Sequence, residues 1–172
     1  MMTTQVLFQN RQPNRIATLE EYCASGGYEA LSTALGKYTR PQVQQLAMVC
    51  NADEMEPGTF KDRVLIHTDP HQIIEGMIIV GYSVLAEKGI IFIRSSYENA
   101  ARILEREMAR AKEAGFLGKN ILGSNFSMKI TVHRSAGRYI CGENTAQINA
   151  IEGKRANPIQ PPPYPTQKGI WG

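Results

Sequence analysis

An α/β fold built on a parallel sheet is predicted by three observations. Apolar runs at 46–50 (LAMVC) and 90–93 (IIFI) have the length and flanks of buried strands. Between and beyond them, residues 73–85 and 101–111 carry apolar side chains at helical spacing. Strand, helix, strand, helix in this rhythm predicts right-handed crossovers between parallel strands.

Taken in order, residues 1–15 read as an irregular arm. Thr18 with Glu21 three positions later is a capping-box pattern, so a helix opens there and runs to Cys23 or Ala24. Gly26-Gly27 interrupts it, a short helical stretch resumes over 28–35, and Thr39-Arg40-Pro41 opens another turn through Gln45. After the strand at 46–50 comes an acidic, turn-prone loop with Asn51, Asp53, Glu54 and Glu56, broken by Pro57-Gly58. Asp69-Pro70 pairs a cap with a first-position proline, and predicts a helix to about Lys88 closed by Gly89. That helix buries Ile73, Ile74, Met77, Ile78, Gly81, Val84 and Leu85. The strand at 90–93 leads into a polar helix over 97–114, with Ala101, Leu104, Met108 and Ala111 on one stripe and a stop at Gly115. Residues 126–132 alternate, Phe126, Met128, Ile130 and Val132 inward, as a half-exposed strand does. A turn over 133–138, a strand end at 139–142 and a helix over 143–151 stopped by Gly153 follow. From Ala156 onward, Pro158, Pro161, Pro162, Pro163 and Pro165 predict an extended, polyproline-like path.

Composition narrows the function classes. A chain of 172 residues with 42% apolar and 20% charged residues suits one globular unit with its own core. Its net charge of +3 is spread without a lysine- or arginine-rich block, which excludes a nucleic-acid stripe. Three separated cysteines, Cys23, Cys50 and Cys141, form no C-x-x-C pair; they argue against a disulfide framework or a self-contained zinc or iron–sulfur site, and for a reducing, cytoplasmic setting. The N-terminal residues lack the apolar core of a signal peptide, and the stretch 73–85 is too short to span a bilayer.

The acidic loop carries the strongest chemical signal. It sits at the carboxyl end of a predicted parallel strand, where ligands of open α/β sheets bind. The alternative is a solvated acidic turn. Gly142-Glu143-Asn144-Thr145 lies at a helix start, whose free N–H groups suit a polar or anionic ligand. Locally, the favoured reading is that Glu143 complements the helix dipole. His67, His71 and His133 are not spaced for a metal, and no P-loop, G-x-G-x-x-G or catalytic triad motif is present.

Five blocks go further: CNADEMEPGTFKDR, PHQIIEGM, GFLGKNILGSNF, GRYICGENTAQINAIEGKRANP and PPPYPTQKGIWG. Together, in this order, they resemble the FMN-carrying, NADH-oxidising flavoprotein subunit of respiratory complex I and the related diaphorase subunits of NAD-linked hydrogenases and formate dehydrogenases. The resemblance covers roughly residues 48–172. It implies a partial Rossmann-like FMN domain over 46–172 with a mostly parallel sheet, preceded by an arm and helices over 1–45. It implies that NADH gives hydride to FMN and that electrons leave through iron–sulfur centres. Asn51, Asp53 and Glu54 would bond the flavin and its ribityl chain, and Tyr139, Gly142 and Glu143 would line its other side. Glu56, Asn144 and Tyr164 would border the NADH pocket. No side chain is assigned acid, base or metal-binding duty.

The sequence departs from that family in three places. Asn144 stands where the family has a second glutamate, which would ease the approach of the more anionic NADPH. A glycine-rich loop of the form G-R-G-G-A-G-F, with a lysine after it, is missing between Gln45 and Leu46. The later asparagine-rich flavin contacts, a ubiquitin-like domain and the cysteine-rich iron–sulfur domain are not in the chain, so an iron–sulfur cluster is expected only there. The resemblance implies partner subunits of a complex I-like or diaphorase assembly, a cytoplasmic or membrane-peripheral place, and no membrane insertion. The competing reading is a cofactor-free remnant that serves as an assembly piece.

Overall fold

A computed structural model describes residues 15–29, 31–32, 46–165 and 169–171. Three parallel strands form one sheet in chain order: β1 (Leu46–Ala52), β2 (Ala86–Arg94) and β3 (Lys129–Ser135). Between β1 and β2 run α2 (Lys61–Thr68) and α3 (Pro70–Val84); α4 (Glu98–Glu113) links β2 to β3. A short α1 (Leu19–Ala24) precedes the sheet, and α5 (Asn144–Ile151) follows it. The α/β class and the parallel, Rossmann-like sheet are as the sequence implies.

Alternation along β2 divides the core in two. Ile91 and Ile93 pack with Ile74, Met77 and Ile78 of α3 and Ala101, Leu104 and Met108 of α4. Ile90 and Phe92 face the other way, onto Cys141 and Ile151 of the C-terminal segment. Leu19, Tyr22, Tyr28 and Leu31 join the first cluster, so the described part of 1–45 shares its core with the sheet unit. A buried polar chain fastens it there. Tyr22 donates to Glu75, Tyr28 O–H lies 3.1 Å from His71 Nδ1, and His71 Nε2 lies 3.2 Å from Glu107, which Arg106 and Arg110 also hold. Because the Glu107 carboxylate can only accept, His71 carries its proton on Nε2 and accepts from Tyr28 at Nδ1.

Several elements end where the sequence pattern says. Thr18 and Glu21 complete a reciprocal capping box on α1, Asp69 caps α3, and Gly115 and Gly153 follow α4 and α5 with φ of +80° and +76°. Others differ. The α3 helix stops at Val84, with Leu85 left-handed, instead of reaching Lys88. Residues 86–89 are strand, held by pairing of Leu46 with Ala86 and of Met48 with Gly89. Gly89 is therefore a packing glycine, not a helix stop: a Cβ there would lie 3.0 to 3.2 Å from Met128, Met77 and Ile130. The alternating strand keeps its inward set but is shifted, as β3 covers 129–135 and takes in His133 to Ser135, expected in a turn. Tyr139–Gly142 is a 3-10 turn, not a strand end. The α2 helix has no local signal in the sequence. The proline-rich segment bends at 161–163 rather than running straight. The expected turn at 39–45 and part of the stretch 28–35 lie outside the described residues.

Candidate functional site

The register places a row of side chains at the carboxyl edge. Ala52 pairs with Ile93 and Ile93 with Arg134, so Asp53, Arg94 and Ser135 stand side by side one step on. Ser135 O–H donates to Asp53 Oδ2 at 2.7 Å, and the Gly137 N–H donates to Ser135 Oγ at 3.1 Å. Arg94 donates to the Glu54 carbonyl at 3.0 Å and lies over the Tyr97 ring. Asp53 Oδ1 is buried with no hydrogen-bond partner among the described residues. Burial pushes the Asp53 carboxyl above the usual aspartate range, against the opposing pull of Ser135 and Arg94.

An open cavity of about 400 Å³ lies between this row and the 3-10 turn, lined by Asp53, Met55, Glu56, Tyr139, Gly142 and Glu143 among others. Five of the sequence-predicted site residues therefore meet around one space, although 83 or more positions separate Glu56 from Tyr139 and its neighbours. Tyr139 O–H donates to Glu56 Oε2 at 2.6 Å, and that bond raises the phenol's pKa. Asn51 secures the loop: its Oδ1 accepts from Asp53 N at 3.1 Å, and its Nδ2 donates to the Cys141 carbonyl at 3.4 Å.

Two of the predicted carboxylates hold helix ends. Glu54 is 6% exposed and accepts from the N–H groups of Asp62 (3.1 Å) and Arg63 (3.4 Å) at the start of α2. Glu143 caps α5, accepting from Thr145 N (3.0 Å), Thr145 Oγ1 (2.6 Å) and Ala146 N (2.8 Å), which holds its carboxyl below the usual range. It also lines the cavity. Asn144, the first residue of α5, and Tyr164, 56% exposed, are not among the lining residues.

A second cavity, about 540 Å³, adjoins the first, since Ile140 lines both. Its character is opposite: Arg134, Arg138, Lys154 and Arg155 line it with Ser135 and Cys141, and among the described residues no carboxylate does. Arg94, Ser135 and these cations escaped the sequence reading. Among the described residues, no group of three His, Cys, Asp or Glu side chains is placed to hold a metal ion.

Residues 19–171 match the model of the Nuo51 FMN-binding domain family. The F subunit of NADH-quinone oxidoreductase in Aquifex aeolicus (strain VF5) is 43% identical over 199 residues, covering 99% of this chain and 47% of that protein. That stretch is longer than the 172 residues of this chain, so the relative carries residues this chain lacks. The Salmonella typhimurium (strain LT2) protein of the same name is 54% identical over 125 residues, 73% of this chain and 28% of that one. The NAD+-reducing [NiFe]-hydrogenase in its H2-reduced state has a similar structure, with a TM-score of 0.65 and 34% identity over 81% of this chain and 23% of the hydrogenase chain. The chain thus spans about half, or less, of the curated relatives it matches.

Proposed function

Because the chain belongs to the family of the Nuo51 FMN-binding domain, we propose that it is the flavin-holding part of an NADH-oxidising flavoprotein. The observation that carries this reading is the buried Asp53 Oδ1, without a hydrogen-bond partner among the described residues, beside the cavity that Glu56, Tyr139, Gly142 and Glu143 share. A flavin ring N–H and ribityl hydroxyls are donors, and carboxylate oxygens accept them. A Cβ at Gly142 would meet no protein atom within 4 Å, so the glycine leaves room that any side chain would take. The ring and ribityl chain of FMN fit these residues.

When bound, FMN accepts hydride from NADH and releases electrons singly; the protein positions and tunes. Asp53 would take a donor of the flavin, with its carboxylate angle fixed by Ser135. Asn51 holds the loop that presents Asp53, and Glu54 anchors that loop to α2. Tyr139 fixes Glu56, which would face the nicotinamide nucleotide, with Asn144 and Tyr164 on its border. In this reading no side chain need act as acid or base.

The electrons would leave to iron–sulfur centres outside these residues, within a multi-subunit assembly. The likeness to an NAD+-reducing hydrogenase supports a diaphorase role as well, in which the flavin would pass hydride to NAD+ rather than take it from NADH. Among the described residues no helix is long and apolar enough to cross a membrane.

Fluorescence titration of the purified chain with FMN tests the reading. Because the cavity is open and acidic, the expected dissociation constant is weaker than about 1 μM. Asp53→Ala should abolish binding while circular dichroism stays unchanged. No binding by the wild-type chain, or equal binding by a folded Asp53→Ala variant, would refute it.

A further inference from the structure

The basic cavity has no part in the flavin contacts proposed for the acidic one. Two of its four cations are engaged: Arg134 with Glu98 and Glu105 of α4, and Lys154 with Glu152. Arg138 and Arg155 have no acidic partner among the described residues, and both line the cavity from separate loops, one after β3 and one after α5. Arg138 and Arg155 thus line one concavity, with no carboxylate among its described lining residues, at the carboxyl end of a parallel sheet. That end is where phosphate-bearing ligands of such sheets sit. Planar guanidinium forks suit phosphate oxygens.

The acidic cavity supplies the second argument. A phosphate monoester carries roughly −1.5 to −2 charges near neutral pH, and Asp53, Glu56 and Glu143 would repel it. A ligand with a donor-rich ring and a phosphate end must therefore divide itself between unlike surroundings. The structure offers such a division: the two cavities share Ile140, and Ser135 of the basic one donates to Asp53 of the acidic one.

We propose that Arg138 and Arg155 form a phosphate-monoester subsite in the basic cavity. Resting on the flavin reading above, this subsite takes the phosphate end of FMN, in a chain that lacks the glycine-rich loop. Both arginines are exposed, so replacing them leaves the core intact.

The test compares the full chain with its Arg138→Gln/Arg155→Gln double variant. Inorganic phosphate, titrated against ¹⁵N-labelled protein, should shift the amides of residues 135–138 and 153–155 in the wild type and leave them still in the variant; an equal titration with chloride should not reproduce the shifts. FMN and riboflavin are then titrated separately by fluorescence. The wild type should bind FMN about tenfold more tightly than riboflavin, the effect of roughly one charge-assisted contact in an open site. In the variant the ratio should fall to about one with riboflavin affinity unchanged. Phosphate shifts that persist in the variant, or none in the wild type, would overturn the subsite, as would an FMN-to-riboflavin ratio the variant does not alter. Equal binding of both flavins removes the subsite and keeps the flavin reading. Phosphate shifts at these residues without binding of either flavin keep the subsite and remove the flavin reading.

Discussion

Glu54 separates two accounts of the acidic loop. The family resemblance gives it to the flavin, whereas its carboxylate lies on the first N–H groups of α2. At that helix the N-cap position is Phe60, which makes no side-chain cap bond, so Glu54 replaces a local cap from six residues upstream. Removing a capping oxygen costs about 0.5–2 kcal/mol, and loss of an anion at a helix N-terminus adds about 0.3–1 kcal/mol. With the site 6% exposed, water replaces those bonds poorly, and we expect Glu54→Ala to destabilise the fold by about 2–3 kcal/mol. Glu54→Gln keeps one accepting oxygen and should lose about 1 kcal/mol, the charge contribution alone. Urea unfolding followed by circular dichroism measures both. At about 2–4 °C per kcal/mol, the alanine variant should melt roughly 5–10 °C below wild type. FMN titration of the folded variants completes the assay. A Glu54→Ala variant within about 0.5 kcal/mol of wild type, with FMN affinity lowered tenfold, would show that the flavin and not α2 is its partner.

Further perturbations follow from the same geometry. Glu56→Gln, in a protein that spans the full length of the relatives, should weaken NADH use while leaving flavin content nearly unchanged; steady-state kinetics and flavin absorbance check both, and flavin loss with intact NADH affinity would contradict the assignment. Asn144→Glu should lower NADPH use relative to NADH, because a carboxylate repels the extra phosphate, and the effect should shrink with salt. Kinetics with the two nucleotides in that longer protein decide it, and an unchanged ratio removes charge at this position as the cause. His71 is buried, and burial lowers its pKa from 6.5 despite the opposing pull of Glu107. The unfolded chain therefore takes up a proton near pH 6.5 that the folded His71 refuses. Its contribution is complete above that pH and declines as pH falls from 6.5 toward the depressed folded value, by at most about 1.4 kcal/mol per pH unit. Urea unfolding across that range should show the slope in wild type and a shallower one in His71→Gln.

Features with a local cause were legible in the residues alone. The Thr18–Glu21 box, the Asp69-Pro70 start, the stripe of α4 and the stops at Gly115 and Gly153 are set within a few residues of where they act. The parallel α/β class was legible for the same reason, as was the acidic loop at a strand end. Whatever depends on partners distant along the chain waited for the packed fold. The end of α3 falls at Val84 because residues 86–89 gain a ladder with β1, and Gly89 is needed by methionines and an isoleucine from two other elements. The α2 helix starts where a remote glutamate reaches it. Sequence pattern could place Asp53, Glu56 and Tyr139 on two separate loops; only the register of three strands, with the Ser135–Asp53 and Tyr139–Glu56 bonds, puts them around one cavity. The basic cavity next to it had no local signature, because its arginines are ordinary surface residues until the packing of β3 and α5 places their loops around one cavity.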